Sequence, residues 1–277
     1  MQLDPIAIDA GVRLESLGTT GSTNAEARLR AQQGDRGPLW ITATAQTEGR
    51  GRRGRRWISP AGNLYASLLL TDPSSFEHAP QLAFVAALAL RDAVALEASG
   101  LAAGLQFKWP NDLLLDGRKC AGILIEGEAT PEAEVQKRFV VVIGVGVNCR
   151  SHPSAAADSI ASPATDLAAH GATITPEQLF ARLSATMCRR LGQWDRSRGF
   201  ARILADWLKD VRGIGEPITV RDGETQIQGR FVGLDQAGQL VLEQADGGMV
   251  KIAAGDVFPF SVSGERRGRA GALGRPG

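Results

Sequence analysis

Cysteine, histidine and lysine are all scarce in this chain of 277 residues, and each scarcity removes a class of function. The three cysteines, Cys120, Cys149 and Cys188, form no CxxC pair. They read as reduced thiols, and a disulfide framework is excluded. The three histidines, His78, His152 and His170, share no metal-ligand spacing, so a zinc site built by the protein alone is not expected. No apolar run approaches the ~20 residues of a membrane span. Met1-Gln2-Leu3-Asp4-Pro5 shows no basic segment leading into an apolar core, so no signal peptide is read and the expected location is cytoplasmic. Internal repeats are absent. An excess of one charge is also missing: 31 Lys plus Arg face 30 Asp plus Glu, with pI about 7.8. That balance argues against the broad basic footprint of a nucleic-acid domain. Hydrophobic residues at 43% and charged residues at 22% describe a globular protein, long enough for one large domain and a small one.

Against this neutral background one segment stands out. Gly49-Arg50-Gly51-Arg52-Arg53-Gly54-Arg55-Arg56-Trp57 packs five arginines and three glycines into nine residues, directly after the apolar run Leu39–Ala45. Arginine cannot lose its charge, and glycine leaves the backbone loose. Three readings compete: a solvated surface loop, an RGG-type nucleic-acid arm, and a mobile loop that orders around a small anion. Concentration of the positive charge in one loop favours the last. Only five lysines are present, Lys108, Lys119, Lys137, Lys209 and Lys251, and two of them fall within 108–119, as if a compact point charge were required there.

Along the chain, Thr23 and Glu26 have capping-box spacing for a helix that Gly34 would stop. Ser59–Asn63 is turn chemistry before a strand over Leu64–Leu70. Pro80 to about Ala98 reads as a buried helix. Leu105–Trp109 and Leu113–Leu115 are strand-like, and Asp116-Gly117 is a two-residue hairpin signal before a strand over Lys119–Glu128. Phe139–Val147 is a buried strand, and 150–174 a polar loop. Thr175-Pro176-Glu177-Gln178 opens a helix by its cap and first-turn proline, and a second helix covers Phe200–Lys209. After Gly213, short strands alternate with Asp-Gly turns, predicting an SH3-like β-barrel over 213–262. The Arg/Gly-rich tail from 263 to 277 reads as disordered. Residues 1–212 are then the expected large domain.

Four segments in order carry a resemblance: Gly21-Ser22-Thr23-Asn24, then Gln46 with Gly49–Trp57, then Lys108-Trp109-Pro110-Asn111-Asp112, then Lys119-Cys120-Ala121-Gly122-Ile123-Leu124. Gly144-Val145-Gly146-Val147-Asn148 follows in sequence, and Trp57–Leu64 continues the basic loop as expected. The set resembles the biotin protein ligases, closely over 18–150 and more loosely to about 262. The resemblance implies an α+β, class II synthetase-like catalytic domain, with a mixed sheet and helices on one side, followed by the small β-barrel. It implies a two-step reaction: biotin and MgATP give biotinyl-5′-AMP and pyrophosphate, and the lysine amine of a biotin carboxyl carrier protein then attacks the anhydride. ATP and biotin are substrates, and Mg²⁺ accompanies the nucleotide. The task is to hold a carboxylate beside an α-phosphate, which preorganised cations and N–H groups achieve.

By the same resemblance, Ser22, Thr23, Asn24 and Gln46 receive the ureido head of biotin, since hydroxyls and amides both donate and accept. Gly49, Arg50, Gly51 and Arg52 form the phosphate- and carboxylate-gathering loop, and Lys119 bridges the two anions. Gly122, Gly144 and Gly146 allow close backbone approach to the ligand; a tight strand end explains the last two equally well. Arg53, Trp57, Asn111 and Asn148 are assigned to ATP, although Arg53, Arg55 and Arg56 also read as steering or solvated charges. Asp112 is catalytic, orienting the acceptor amine or holding Mg²⁺. Lys108 reads as structural, paired with a nearby carboxylate. A homodimer through catalytic-domain strands is compatible with the resemblance.

Three departures matter. Cys120 stands where the family usually has leucine, beside the key lysine. Thr47-Glu48 adds a negative charge where alanine is common, and 151–174 lacks the adenine-stacking tryptophan of some members. The short lead before Ser22 leaves no room for the winged helix-turn-helix of about sixty residues that some relatives carry, so an enzyme without sequence-specific DNA binding is expected. Two competitors remain. A lipoate–protein ligase or octanoyl transferase would leave Ser22, Thr23 and Gln46 without a ureido head to read. A non-catalytic anion or nucleic-acid binder would release no pyrophosphate.

Overall fold

Alternating apolar residues generate two sheets in the computed structural model, which describes residues 1–129, 139–153 and 163–259. The predicted disordered tail lies outside the described residues, as do parts of the 150–174 loop. The chain opens with α1 (Pro5–Asp9), N-capped by the Asp4 carboxylate, which accepts from the Ile6 amide at 3.0 Å. It continues through β1 (Arg13–Thr20), α2 (Thr23–Gln32), β2 (Leu39–Gln46), β3 (Leu64–Thr71), α3 (Gln81–Glu97), β4 (Leu105–Lys108) and β5 (Asp112–Leu115). Then come β6 (Arg118–Ala129), β7 (Phe139–Val147), α4 (Pro176–Trp194) and α5 (Phe200–Leu208). The seven strands form one sheet in the order β1-β2-β3-β7-β6-β5-β4. Only β1 and β2 run parallel, on either side of α2, so the sheet is mixed and the class α+β.

Helices cover both faces of this sheet, not one. On one face Ala27 and Ala31 of α2 pack on Leu39, Ile41, Leu69, Val140 and Val142. The alternate residues of the same strands, among them Trp40, Leu64, Ala66, Leu68, Val141 and Ile143, join α3, α4 and α5 in the main core. A strand's period of two sends neighbours to opposite sides, and the near-continuous apolar runs of β3 and β7 record burial on both. The Asp116-Gly117 hairpin is present with both residues at positive φ, 49° and 75°, as a type I′ turn demands. Thr175 and Gln178 form the full capping box of α4.

The capping box expected at Thr23 and Glu26 is not made. Ser22 is the N-cap residue without a side-chain bond. The orphan Thr23 amide instead donates to Gln46 Oε1 at 2.8 Å, from the end of β2.

Five further strands, β8 (Pro217–Asp222), β9 (Thr225–Leu234), β10 (Leu240–Glu243), β11 (Met249–Ile252) and β12 (Asp256–Pro259), make an antiparallel sheet in the order β11-β10-β9-β8-β12. Its Ile218, Val220, Phe231, Leu240 and Leu242 continue the main core. The Trp109 indole donates to the Gly238 carbonyl at 3.0 Å. Gly238 has φ +81°, and a Cβ there would lie 2.8 Å from the Phe84 ring, so the small sheet seats on α3 through a position only glycine fills. Among the described residues no helix is long and apolar enough to cross a membrane.

Candidate active site

A cavity of about 750 Å³ opens on the α2 face of the seven-stranded sheet, within the size range of small-molecule sites. Strands β6 and β7 form its floor, the basic segment its wall and Asp256-Val257 one rim. Its two ends differ in chemistry.

One end is neutral. Ser22, Thr23 and Asn24 at the start of α2 are all buried. Thr23 Oγ1 donates to Gln46 Oε1 at 3.1 Å, while Gln46 Nε2 donates to Ser59 Oγ at 3.0 Å. Beneath them lies Ser67 of β3, fully buried, with its hydroxyl 2.7 Å from Thr23 Oγ1 and 2.6 Å from Asn24 Oδ1. Asn24 Nδ2 donates to Glu126 at 2.7 Å. The amide of Gln46 thereby caps a helix and fixes the next loop at once. The Ser22 hydroxyl lines the cavity and makes no bond among the described residues.

The other end is cationic. Lys119 meets Asp112 at 2.6 Å, and its ammonium lies 5.3 Å from the Trp57 ring centre. A β-bulge puts Lys119 there. Leu113 pairs with Ala121 and Leu114 with Lys119, which leaves Cys120 without a partner across the ladder. The extra residue restores the phase, so that Lys119 and Gly122 both line the cavity while Cys120 and Ala121 enter the core. Cys120 therefore does not present a thiol beside the lysine. It is fully buried, its Sγ is 3.5 Å from the Leu113 carbonyl, and burial pushes its thiol up to about 12. Behind Lys119, the Pro163–Thr165 segment clamps the strand, with Lys119 N–H on Pro163 O at 2.8 Å and Thr165 N–H on Lys119 O at 2.9 Å.

The basic segment is a hydrogen-bonded ribbon. Gly51 N–H donates to Arg55 O at 2.7 Å and Trp57 N–H to Gly49 O at 2.8 Å. The tip, Arg52–Gly54, turns through positive φ at Arg53 and Gly54. Its arginines are not merely solvated. Arg55 meets Asp256 at 2.8 Å and Arg53 meets Asp222 at 2.6 Å, both carboxylates belonging to the small sheet. Arg52 donates from Nη1 to Asn111 Oδ1 at 3.1 Å and to the Gly255 carbonyl at 3.2 Å. Burial pulls its guanidinium below the ordinary value, against the charges of Asp256 and Asp112. Arg50 lines the cavity and forms no ion pair among the described residues.

Most of the residues expected from the sequence meet in this one cavity; Gly49 and Arg53 do not line it. Gly49 is held by the loop's own backbone, since a Cβ there would collide with the Trp57 carbonyl. The floor glycines make room for side chains of the protein. A Cβ at Gly144 would strike Asn24 Oδ1, and one at Gly146 would lie 2.6 Å from the Trp57 indole nitrogen. The Trp57 indole N–H is itself buried and has no acceptor among the described residues. Asn111 Nδ2 donates to Ile123 O of β6 at 2.7 Å and Asn148 Nδ2 to Thr165 O at 2.9 Å, so each shapes the cavity by tying its own backbone to a neighbouring segment. Lys108 lines the cavity too, and burial lowers its ammonium to about 8. Ser67 and Asp256 were not anticipated. The single serine within the apolar run Leu64–Leu70 is a signal for the first; nothing local marks the second, which lies about two hundred residues from its arginines.

Residues 19–148 match the biotin/lipoate A/B protein ligase family, and 213–258 match the biotin protein ligase C-terminal domain. The biotin–[acetyl-CoA-carboxylase] ligase of Paracoccus denitrificans is 43% identical over 244 residues, 87% of this chain and 98% of that protein. The chain belongs to the biotin protein ligase family. The bifunctional ligase/repressor BirA of Bacillus subtilis is 32% identical over 219 residues, covering 78% of this chain and 65% of the relative. Among solved structures, the biotin protein ligase of Aquifex aeolicus in complex with biotin and ATP superposes with a TM-score of 0.71 at 25% identity, over 88% of this chain and 97% of that one. Membership of the biotin protein ligases agrees with the resemblance carried by the four ordered segments.

Proposed function

We propose that this biotin protein ligase joins biotin to a lysine of a biotin carboxyl carrier protein, using ATP. A biotin carboxylate oxygen attacks the α-phosphorus of ATP, the α–β bridging P–O bond breaks, and pyrophosphate leaves. The carrier amine then attacks the acyl carbon of biotinyl-5′-AMP, an amide forms, and AMP departs with the C–O electron pair. The observation that carries this reading is a single cavity with a neutral hydrogen-bonding end and a cationic end. Ser22, Thr23, Asn24 and Gln46 read the ureido head. Lys119, with Arg50 and Arg52, holds carboxylate and phosphate together against their repulsion, the largest electrostatic demand of the first step. Asn111, Asn148 and Trp57 shape the nucleotide side, with Arg53 at the loop tip.

Asp112 faces Lys119 at 2.6 Å, which suits it to exchange that partner for the acceptor amine or for the Mg²⁺ that arrives with ATP. In this reading the Mg²⁺ arrives with the nucleotide substrate, and Asp112 is placed to share it. The reading includes a catalytic domain over 1–212, an SH3-like domain over 213–262, and action in the cytoplasm.

The test is mass spectrometry of a biotin carrier domain incubated with the protein, MgATP and either biotin or lipoate. One ATP-dependent biotinyl group on the carrier lysine is expected. Lipoylation in place of biotinylation, or no pyrophosphate release with biotin, would overturn the reading.

A further inference from the structure

Three arginines of the basic ribbon converge on one carboxylate that the sequence places about two hundred residues away. Asp256 accepts from Arg55 Nη2 at 2.8 Å and lies 3.8 Å from Arg52 Nη1 and 3.7 Å from Arg53 Nη1. It opens β12, where it pairs in register with Arg221 of β8, so its backbone is anchored in the small sheet. Its side chain is 19% exposed and borders the cavity. The adjoining carbonyl of Gly255 takes Arg52 at 3.2 Å, and that of Arg221 takes Arg53 at 3.2 Å. Arg52 and Arg53, both assigned above to the nucleotide, are thus already gathered with Arg55 around an anion supplied by the protein.

The ribbon does not need this carboxylate to keep its shape, because its own backbone bonds and the Arg52–Asn111 bond hold it. A fixed negative charge at the rim opposes the entry of a second anion, and the opposition grows with the charge that enters. Resting on the ATP-binding role proposed above, we propose that Asp256 is an internal stand-in for the nucleotide phosphates. It occupies the arginines of the empty site and gives them up to ATP, so that nucleotide binding unfastens the basic ribbon from the C-terminal sheet. By linkage, ATP weakens the Asp256 contacts by the same factor by which those contacts oppose ATP, so removing them strengthens ATP binding. Asp222 is a contrasting partner: among the described residues its one ion pair is with Arg53, and it is 59% exposed, where an ion pair contributes little.

The decisive experiment is titration calorimetry of ATP and, separately, of biotin into the wild type, Asp256→Asn and Asp222→Asn at fixed ionic strength. Hydrogen exchange of 49–57 and 250–258 is followed with and without ATP. Asp256→Asn should tighten ATP about three- to tenfold, the equivalent of one to three exposed ion pairs. The wild type should show an ATP-induced rise in exchange over 250–258; Asp256→Asn should abolish that rise and leave biotin affinity within about twofold. Asp222→Asn should shift ATP by less than about twofold. Weaker or unchanged ATP binding in a folded Asp256→Asn protein would overturn the proposal and make Asp256 an aligner of the arginines. An equal gain from Asp222→Asn would reduce the effect to net charge and overturn it too. A wild type that binds biotin but no ATP would instead overturn the proposed function.

Discussion

The two ends of the cavity are built by different means. At the neutral end, Thr23, Gln46, Ser59 and Ser67 are tied to one another and to backbone by short hydrogen bonds, all within elements that pack on a common sheet. At the cationic end, Lys119, Arg52, Arg53 and Arg55 are held by carboxylates, three of the four through residues of the other sheet. Hydrogen bonds among buried neutral groups are indifferent to salt, whereas partly exposed ion pairs feel it. One end is therefore a fixed mould, and the other is an electrostatic balance that a ligand can tip.

Lys119→Ala should break that contrast most severely. ATP–pyrophosphate exchange is expected to fall about 100-fold or more, the usual loss when a charge-stabilising donor is removed. The melting temperature should move by no more than about 2 °C, because the ammonium is partly exposed. Retained exchange would remove Lys119 from the chemistry. Gly144→Ala attacks the mould itself: its Cβ meets Asn24 Oδ1, and overpacking of this kind costs about 1–3 kcal/mol in chemical denaturation. Gln46→Ala removes the acceptor of the Thr23 amide. About 1 kcal/mol of stability should be lost together with biotin affinity, and both losses should be equal at low and high salt. A salt-dependent loss would place Gln46 in the electrostatic half.

Lys108 sharpens the comparison through pH. Its ammonium titrates near 8 in the fold, below the ordinary 10.5. Below pH 8 folded and unfolded chains both carry the proton, and the folded state bears the full cost of burying it. Between 8 and 10.5 the unfolded chain binds more protons, so stability rises with pH. The stability of wild type minus that of Lys108→Met should accordingly increase from pH 7 to pH 10 in urea denaturation; a flat difference would contradict the shift. The smallest effect concerns Cys120 and Cys149, both buried and both pushed up to about 12. Neither should react with iodoacetamide in the folded protein at pH 8, and labelling of Cys120 without unfolding would show the bulge to be open.

What could be read in advance followed the range of the interactions. Asp116-Gly117, the Thr175–Gln178 cap and the strand over Phe139–Val147 are decided within a few residues, and they appear where the residues said. β1 has no fully buried residue, so no alternation marks it, and the sheet's parallel edge was invisible. The helix at Thr23 was expected to cap itself, yet its acceptor arrives from Gln46 on the next strand. Cys120 adjoins Lys119 in sequence, but a strand sends the two to opposite faces, and the bulge, which leaves no mark in the sequence, decides that Lys119 is the one facing the cavity. The cavity residues came from ordered motifs, but the partners that hold them, Ser67, Asp222 and Asp256, lie far off in sequence and carry no local signature.

Trp57 turns this architecture into an instrument. Four of the five tryptophans, Trp40, Trp109, Trp194 and Trp207, are buried in the core. The fifth lies across the floor glycines, beside an ammonium, its N–H without an acceptor among the described residues. Its excited state is the one most exposed to a change of polarity or of nearby charge when the cavity fills. The emission spectrum of the unmodified protein thus contains a built-in optical gauge of occupancy, readable in a cuvette without any attached dye.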